Sequence, residues 1–262
     1  MIYWHEEGEM AMKFENRVAV VTGAAGGIGR AVCRRLCGLG VSVAVTDLSE
    51  ESCEKVAVEV RKAGGVARAY GMDVTKPESV KKTAKKILSD FSKVDILINN
   101  AGVWMHANGQ KNKFADMPEK DWQWILDVNL GGTFRVTQAF LKPMLERKYG
   151  RIVNLGSIAG EVGLPGLSDY AAAKGGVILF TKSLAMEVAK ENITVNCVSP
   201  GMVAAEDGVT RPTDGTWIGR TGDRAEIAEL IVFLASDDSG FITGVDYTID
   251  GGRILGPRFC DI

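Results

Sequence analysis

Tyr170 and Lys174 stand four residues apart in the stretch Tyr170-Ala-Ala-Ala-Lys174. On a helix that spacing sets a phenol and an ammonium one above the other on a single face. A free phenol, with a pKa of about 10, exchanges protons poorly at neutral pH, and a fixed positive charge beside it favours the phenolate and lowers that value. So placed, Tyr170 would pass a proton to or from a substrate oxygen near neutrality. The same spacing also describes an ordinary solvated helix face, so the pair takes its meaning from what surrounds it.

The elements needed to position such a pair can be read in order along the chain. Val18-Ala-Val-Val-Thr22 is an apolar run suited to a strand buried on both faces, and it enters Gly23-Ala-Ala-Gly-Gly27-Ile-Gly29 just before a helical stretch at residues 30–39. Strand, glycine turn and helix, in that order, let backbone N–H groups and a helix N-terminus approach a pyrophosphate closely. A second strand, residues 41–46, ends in Asp47, whose carboxylate suits a ribose diol and would repel a 2′-phosphate, which favours NAD over NADP. Asp47 could instead cap the next helix, although Ser49, with Glu50 and Glu51 behind it, is also available for that.

Further strands are expected at residues 66–71, 94–98, 151–155, 193–198 and 241–250, alternating with helices. Thr75-Lys-Pro-Glu78 reads as a capping box opening a helix to about residue 90, and Asp223 with Glu226 reads as another, opening a helix at residues 225–235. A long helix is expected over residues 122–146. Before it lies an irregular polar segment, residues 103–120, holding Trp104, Met105 and His106 at the carboxyl end of the fourth strand, where loops carry ligand sites in this architecture. His106 reads as a pocket or surface residue rather than a catalyst. Ser157 ends the fifth strand, a glycine-rich loop follows at residues 158–167, and Ser168 is the expected N-cap of the helix carrying Tyr170. Gly175 and Gly176 would weaken that helix unless another backbone or a ligand passes close by. The fold expected is therefore α/β: a single Rossmann-like, doubly wound sheet of about seven parallel strands with helices on both faces. Residues 1–11 form an N-terminal extension, and residues 12–262 form one dinucleotide-binding catalytic domain.

Composition limits the alternatives. The 262 residues are 46% hydrophobic and 24% charged, ordinary for a globular chain with one sizeable core. A net charge of -2 gives no electrostatic reason to expect nucleic acid or an anionic membrane as partner. Residues 1–11 lack the basic start and long apolar run of a secretory signal. The five cysteines (Cys33, Cys37, Cys53, Cys197, Cys260) contain no Cys-x-x-Cys pair, and His5 and His106 are the only histidines. Reduced, buried thiols, a cytoplasmic location and no metal are expected.

Taken together, Thr22-Gly-Ala-Ala-Gly-Gly-Ile-Gly29, Asn99-Asn-Ala-Gly102, Asn129, Ser157, Tyr170-Ala-Ala-Ala-Lys174 and Pro200-Gly201 resemble the signatures of the one-domain short-chain dehydrogenase/reductase family across residues 17–252. The resemblance implies reversible hydride transfer between a nicotinamide and an alcohol or ketone. By it, Tyr170 is the general acid or base, and Lys174 lowers its pKa and holds the nicotinamide ribose. Ser157 binds the substrate oxygen as charge develops, and Asn129 anchors a water behind Lys174. Without the resemblance, Ser157 reads first as a strand-end cap and Asn129 as a mid-helix amide bonded to backbone.

The same likeness implies that NAD lies against Gly23, Gly27, Ile28 and Gly29 at the pyrophosphate, Asp47 at the ribose, Asp73 and Val74 at adenine, and Asn100 and Ala101 near the second ribose. Pro200, Gly201 and Val203 would meet the carboxamide. The basic residue that many NADP-using relatives carry is here Gly26, and the threonine often found four positions beyond Pro-Gly is here Ala205. The loop at residues 202–218 looks shorter than the usual substrate lid and residues 103–120 longer, so selection of substrate is expected to have moved between them. Trp104, Met105, Ser157, Val162 and Met202, with Leu164 and Trp217 nearby, are the expected substrate pocket, suited to an apolar or cyclic body. The leading expectation is an NAD-dependent dehydrogenase or reductase of a small secondary alcohol or ketone. A 3-oxoacyl-thioester reductase, whose family members often prefer NADPH, stands second, and a non-catalytic NAD(H)-binding regulatory protein is the reading from another class. The resemblance also implies a homotetramer joined through the helices at residues 122–146 and 170–190, to which Phe134, Val136, Phe140, Ile178, Leu179 and Leu184 could contribute.

Overall fold

The computed structural model describes residue 14, residues 16–106 and residues 113–256. The extension at residues 1–11 and the tail bearing Cys260 lie outside them, as does part of the segment 103–120.

Runs of β-branched residues drive the architecture. β1 (Val18–Thr22) is buried at every position. With β2 (Ser42–Asp47), β3 (Ala67–Gly71), β4 (Ile96–Asn99), β5 (Gly150–Leu155), β6 (Ile193–Pro200) and β7 (Asp246–Ile249) it makes one parallel sheet in the order β3-β2-β1-β4-β5-β6-β7. A parallel sheet must be covered on both faces. The helices that do so are α1 (Gly27–Gly38), α2 (Glu50–Lys62), α3 (Pro77–Phe91), α4 (Glu119–Leu126), α5 (Gly132–Arg147), α6 (Ile158–Val162), α7 (Ser168–Val188) and α8 (Arg224–Leu234). Side chains alternate along β1: Ala19 and Val21 enter the core shared with α1, α2 and α8, whereas Val20 enters the core shared with α3, α5 and α7. The expected doubly wound α/β fold is what the chain adopts. Strand order reverses at β1, which pairs with both β2 and β4, and a crevice opens beyond the carboxyl ends of these strands. Among the described residues no helix is long and apolar enough to cross a membrane.

Several local expectations give way to tertiary structure. Thr75 does not cap α3; its hydroxyl and its amide both bond Asp73 Oδ1, at 2.6 and 2.9 Å, and Lys76 takes the cap position ahead of Pro77. Ser168 is the first residue of α7 rather than its cap, and the amide of Tyr170 is satisfied by Asp169 Oδ1 at 2.8 Å. The loop expected at residues 158–167 begins with α6. β7 is shorter than residues 241–250 because Gly244, at φ +74, turns the chain just before it. The long helix expected at residues 122–146 is α4 and α5 joined by a π-helical turn, Asp127–Gly131. Such turns insert one extra residue and recur at functional sites; this one contains Asn129. The Asp223 and Glu226 capping box forms as expected.

Candidate active site

The glycine turn closes the inner end of the crevice. Gly23 and Gly27 have φ of +61 and +54, which a side chain would strain, and a Cβ on Gly23 would lie 2.8 Å from Ala101 Cα. A Cβ on Gly26 or Gly27 would meet nothing within 4 Å, so the backbone there faces open space at the N-terminus of α1. Gly26 offers that terminus no side-chain cap, and its leading N–H groups remain donors for an anion. These features fit the pyrophosphate of a dinucleotide. Gly29 serves differently from the expected phosphate contact. It does not line the cleft, and a Cβ there would collide with the Gly23 carbonyl oxygen and lie 2.6 Å from Asn100 Nδ2. Glycine is needed at that position for the turn to close on itself.

Neighbouring side chains hold the turn in place. Thr22 Oγ1 accepts the amides of Asn100 and Ala101 at 3.0 and 2.9 Å, while Asn100 Nδ2 donates to the carbonyls of Thr22 and Gly23, both at 2.9 Å. Asp47 Oδ2 accepts the Ala25 amide at 3.0 Å, and Ser49, not Asp47, caps α2. One cavity of about 980 Å³ runs from Asp47, Asp73 and Val74 past Gly23, Gly27, Ile28, Asn100 and Ala101 to Tyr170, Lys174, Pro200, Gly201 and Val203.

Ser157, Tyr170 and Lys174 meet at its far end. Ser157 caps α6, accepting the Ala159 amide at 3.2 Å, so its capping role and its place in the cleft coexist. α6 then crosses α7 closely enough that a Cβ on Gly160 would lie 2.6 Å from both Gly175 N and the Lys174 carbonyl carbon. That close approach accounts for the glycine at position 160, while a Cβ on Gly175 would lie 3.3 Å from the Gly160 carbonyl oxygen, and the crossing sets Ser157 beside the phenol. Beneath them a buried ladder ties α5 and α7 to the strand ends: Asn99 donates to Thr137 and Asn154 at 2.8 Å each, and Asn154 donates to Thr181 at 2.9 Å.

Burial, rather than the ammonium, governs the phenol. Lys174 Nζ lies 5.7 Å from the Tyr170 ring centroid and donates to the Leu155 carbonyl at 2.6 Å. Burial raises the Tyr170 pKa, and the hydrogen bond with Ser157 opposes it. Burial also pushes the Lys174 pKa down to about 8. The expectation that Lys174 draws the phenol down is replaced by a phenol held protonated at neutral pH, which is the state of a proton donor. Asn129 is fully buried in the π turn. Its Nδ2 donates to the carbonyls of Ile125 and Val103, at 2.9 and 2.8 Å, and its Oδ1 accepts the Val103 amide at 3.2 Å. It thus bonds the backbone of its own helix and also pins the start of the segment that leaves β4. A Cβ on Gly102 would lie 2.7 Å from Asn129 Oδ1 and 3.4 Å from Lys174 Nζ, so both side chains converge on that glycine.

Of the expected substrate pocket, Trp104, Ser157 and Met202 line the main cleft, joined by Leu164. Val162 and Trp217 line an annex of about 420 Å³ that shares Ile158, Leu164 and Arg253 with it, whereas Met105 lines neither. Trp124, Val128, Arg224 and Arg253 also face the cleft, and no periodicity or motif singles them out. Arg224 donates to the carbonyl of Ala205 and pairs with Asp207 at 2.7 Å, which ties down the loop where a threonine was expected. Cys33, Cys37, Cys53 and Cys197 are buried free thiols. Among the described residues no group of three His, Cys, Asp or Glu could hold a metal ion.

Residues 17–213 match the family described as short chain dehydrogenase. The chain is 38% identical over 253 residues to the 3-oxoacyl-[acyl-carrier-protein] reductase FabG of Escherichia coli, an alignment covering 93% of this chain and 100% of that protein. Its identity to the protein of the same name from Haemophilus influenzae is 37% over 249 residues (92% and 99% covered). For the Thermotoga maritima protein it is 36% over 255 residues (93% and 100%).

Proposed function

Because the chain belongs to the short-chain dehydrogenase family, and so is an NAD(P)-dependent oxidoreductase, we propose that it reduces the ketone of a 3-oxoacyl thioester with NADH. The observation that carries the chemical step is the meeting of Ser157, a protonated Tyr170 and Lys174 at one end of a cleft whose other end fits a dinucleotide. In this reading Ser157 Oγ and the Tyr170 hydroxyl hydrogen-bond the ketone oxygen. A nicotinamide held between Lys174 and the Pro200-Gly201 turn would, when bound, provide the hydride for the carbonyl carbon. As negative charge grows on the oxygen, Tyr170 delivers its proton there, and the Lys174 ammonium steadies the phenolate left behind.

The thioester reading, second among the sequence expectations, moves ahead of the simple alcohol or ketone because every relative named above carries 3-oxoacyl reductase in its name and aligns over nearly its whole length. An acyl body could extend from Ser157 across Ile158 and Leu164 into the annex. The test is a comparison of initial rates on a short 3-oxoacyl thioester and on a panel of secondary and cyclic ketones. A higher kcat/KM for the thioester is expected; turnover of ketones alone would return the first expectation to the lead.

Asp47 supports NADH as the partner. Its carboxylate at the tip of β2 would face a 2′-phosphate, and two like charges a few ångströms apart at a dielectric of about 20 oppose each other by more than the ~1.4 kcal/mol that a factor of ten requires. NADH is expected to be favoured by at least about tenfold in kcat/KM, with the gap narrowing in Asp47→Ser. Equal or better use of NADPH by the unaltered chain would refute the assignment.

A homo-oligomer, with a tetramer as the family expectation, belongs to the same proposal. Of the residues considered for subunit contacts, Val136, Phe140, Ile178 and Leu184 are buried in the protomer, whereas Phe134 and Leu179 are 48% and 65% exposed, joined by Met186 at 78%. Exposed apolar side chains on α5 and α7 supply what such an interface needs. Light scattering should give an oligomeric mass that falls in Leu179→Glu, and a monomeric unaltered chain would end the proposal.

A further inference from the structure

One buried contact joins the wall of the substrate cleft to the helix presenting Tyr170, and the reaction chemistry above leaves it unused. His106 follows the cleft-lining Trp104 by two residues in the segment that leaves β4, and it is buried. Its Nε2 lies 2.7 Å from Asp169 Oδ2, and both side chains are almost fully enclosed. A carboxylate only accepts, so Nε2 carries a hydrogen and donates it. The other oxygen of the same carboxylate accepts the backbone amide of Tyr170 at 2.8 Å. On the far side of the ring, Nδ1 lies 3.9 Å from Asp121 Oδ2 in the first turn of α4.

One imidazole therefore touches the first turns of two helices. α7 bears Tyr170, and α4 runs into the π turn holding Asn129, which in turn pins Val103. The wall residue Trp104 sits between the two anchors, Asn129 at Val103 and Asp169 at His106. A buried polar pair of this kind holds one geometry where an apolar pair would tolerate several, because any displacement strands a desolvated carboxylate.

We propose that His106 is a positioning residue: acting through Asp169, it fixes the wall bearing Trp104 relative to the Tyr170 phenol and so sets how a substrate carbonyl lies against Ser157 and Tyr170. The proposal rests on the reading of Tyr170 as proton donor. It also gives a physical basis to the expectation that selection of substrate resides in the segment after β4.

Two variants separate positioning from packing. In His106→Gln a side-chain amide N–H can take the place of Nε2–H; in His106→Leu the volume is largely kept and the donor is lost. For His106→Leu, KM for the ketone substrate should rise and kcat should fall, lowering kcat/KM by about ten- to a hundredfold, with NADH affinity by fluorescence titration unchanged. Amide hydrogen exchange across residues 103–106 should speed up in the same variant, and His106→Gln should restore most of both signals. Should His106→Leu fail to fold, His106→Asn, whose shorter amide cannot reach the Nε2 position, takes its place with the same expectation. Unchanged kcat/KM per folded molecule in the donor-free variant, or His106→Gln behaving like His106→Leu, would overturn the proposal. The exchange measurement keeps it distinct from the functional reading. If the unaltered chain turned over no carbonyl compound, the function would fail while slow exchange at residues 103–106 in His106→Leu would still sink the clamp by itself.

Discussion

Tyr170→Phe is expected to lower kcat by about 10²- to 10⁴-fold, the range that a positioned general acid contributes, while NADH affinity stays within about twofold. The ring keeps its packing over Lys174 and only the hydroxyl is lost, along with its hydrogen bond to Ser157. Among the described residues nothing else lining the cleft is equipped to replace it. Lys174 Nζ is turned to the Leu155 carbonyl, and the other ionisable groups lining the cleft are Asp47 and Asp73 toward the adenine end and Arg224 and Arg253. Guanidinium groups do not give up protons in proteins. Initial rates with a 3-oxoacyl thioester, paired with fluorescence titration of NADH, measure both halves of the expectation. Turnover at the unaltered rate would move the proton donor elsewhere.

Gly160→Ala is expected to lower kcat by about a hundredfold, although residue 160 touches no reacting atom. A Cβ at that position would lie 2.6 Å from two backbone atoms of α7, Gly175 N and the Lys174 carbonyl carbon. Backbone cannot swing aside as a side chain can, so α6 must back away, and Ser157 at its cap moves with it. A displacement of about 1 Å between reacting groups costs on the order of a hundredfold in rate, and overpacking a tight contact costs about 1–3 kcal/mol of stability. Gly38→Ala is the control: it lies in α1 with nothing within 4 Å of the added Cβ, and rate and melting temperature should hold. Full activity in Gly160→Ala would mean that the crossing of α6 and α7 does not set the distance between Ser157 and the phenol.

Much of this site was legible because its chemistry is local. A glycine turn between an apolar strand and a helix reads as a phosphate cradle from a dozen neighbouring residues, and Asp47 reads as a ribose partner from its place at a strand tip. Tyr170 and Lys174 are brought together by helical spacing alone. What escaped the sequence depends on contacts between distant segments. Asn129 is named by the family signature, but the π turn that holds it reads in the sequence as continuous helix. Thr75 was assigned to α3 by a capping pattern, but Asp73 claims its hydroxyl first. The shift of Tyr170 follows from how deeply it is enclosed, which spacing cannot express. Gly29 looks like its phosphate-facing neighbours in the motif, yet its lack of a side chain serves the Gly23 carbonyl and Asn100. His106 and Asp169 are 63 positions apart; Arg224 opens α8 inside a capping box that marks the helix start but not that its side chain faces the cleft, and Arg253 reaches the cleft from the short turn after β7.

Whether hydride passes from nicotinamide to a ketone beside Tyr170 is decided by deuterium transfer from NADH labelled at its reduced nicotinamide carbon, with the alcohol formed from a 3-oxoacyl thioester read by mass spectrometry. Label is expected on the former carbonyl carbon with the unaltered chain, and the rate of labelling should fall by about 10²- to 10⁴-fold with Tyr170→Phe. Thioester consumed without label in the alcohol, or label transferred as fast by the variant, would contradict that expectation.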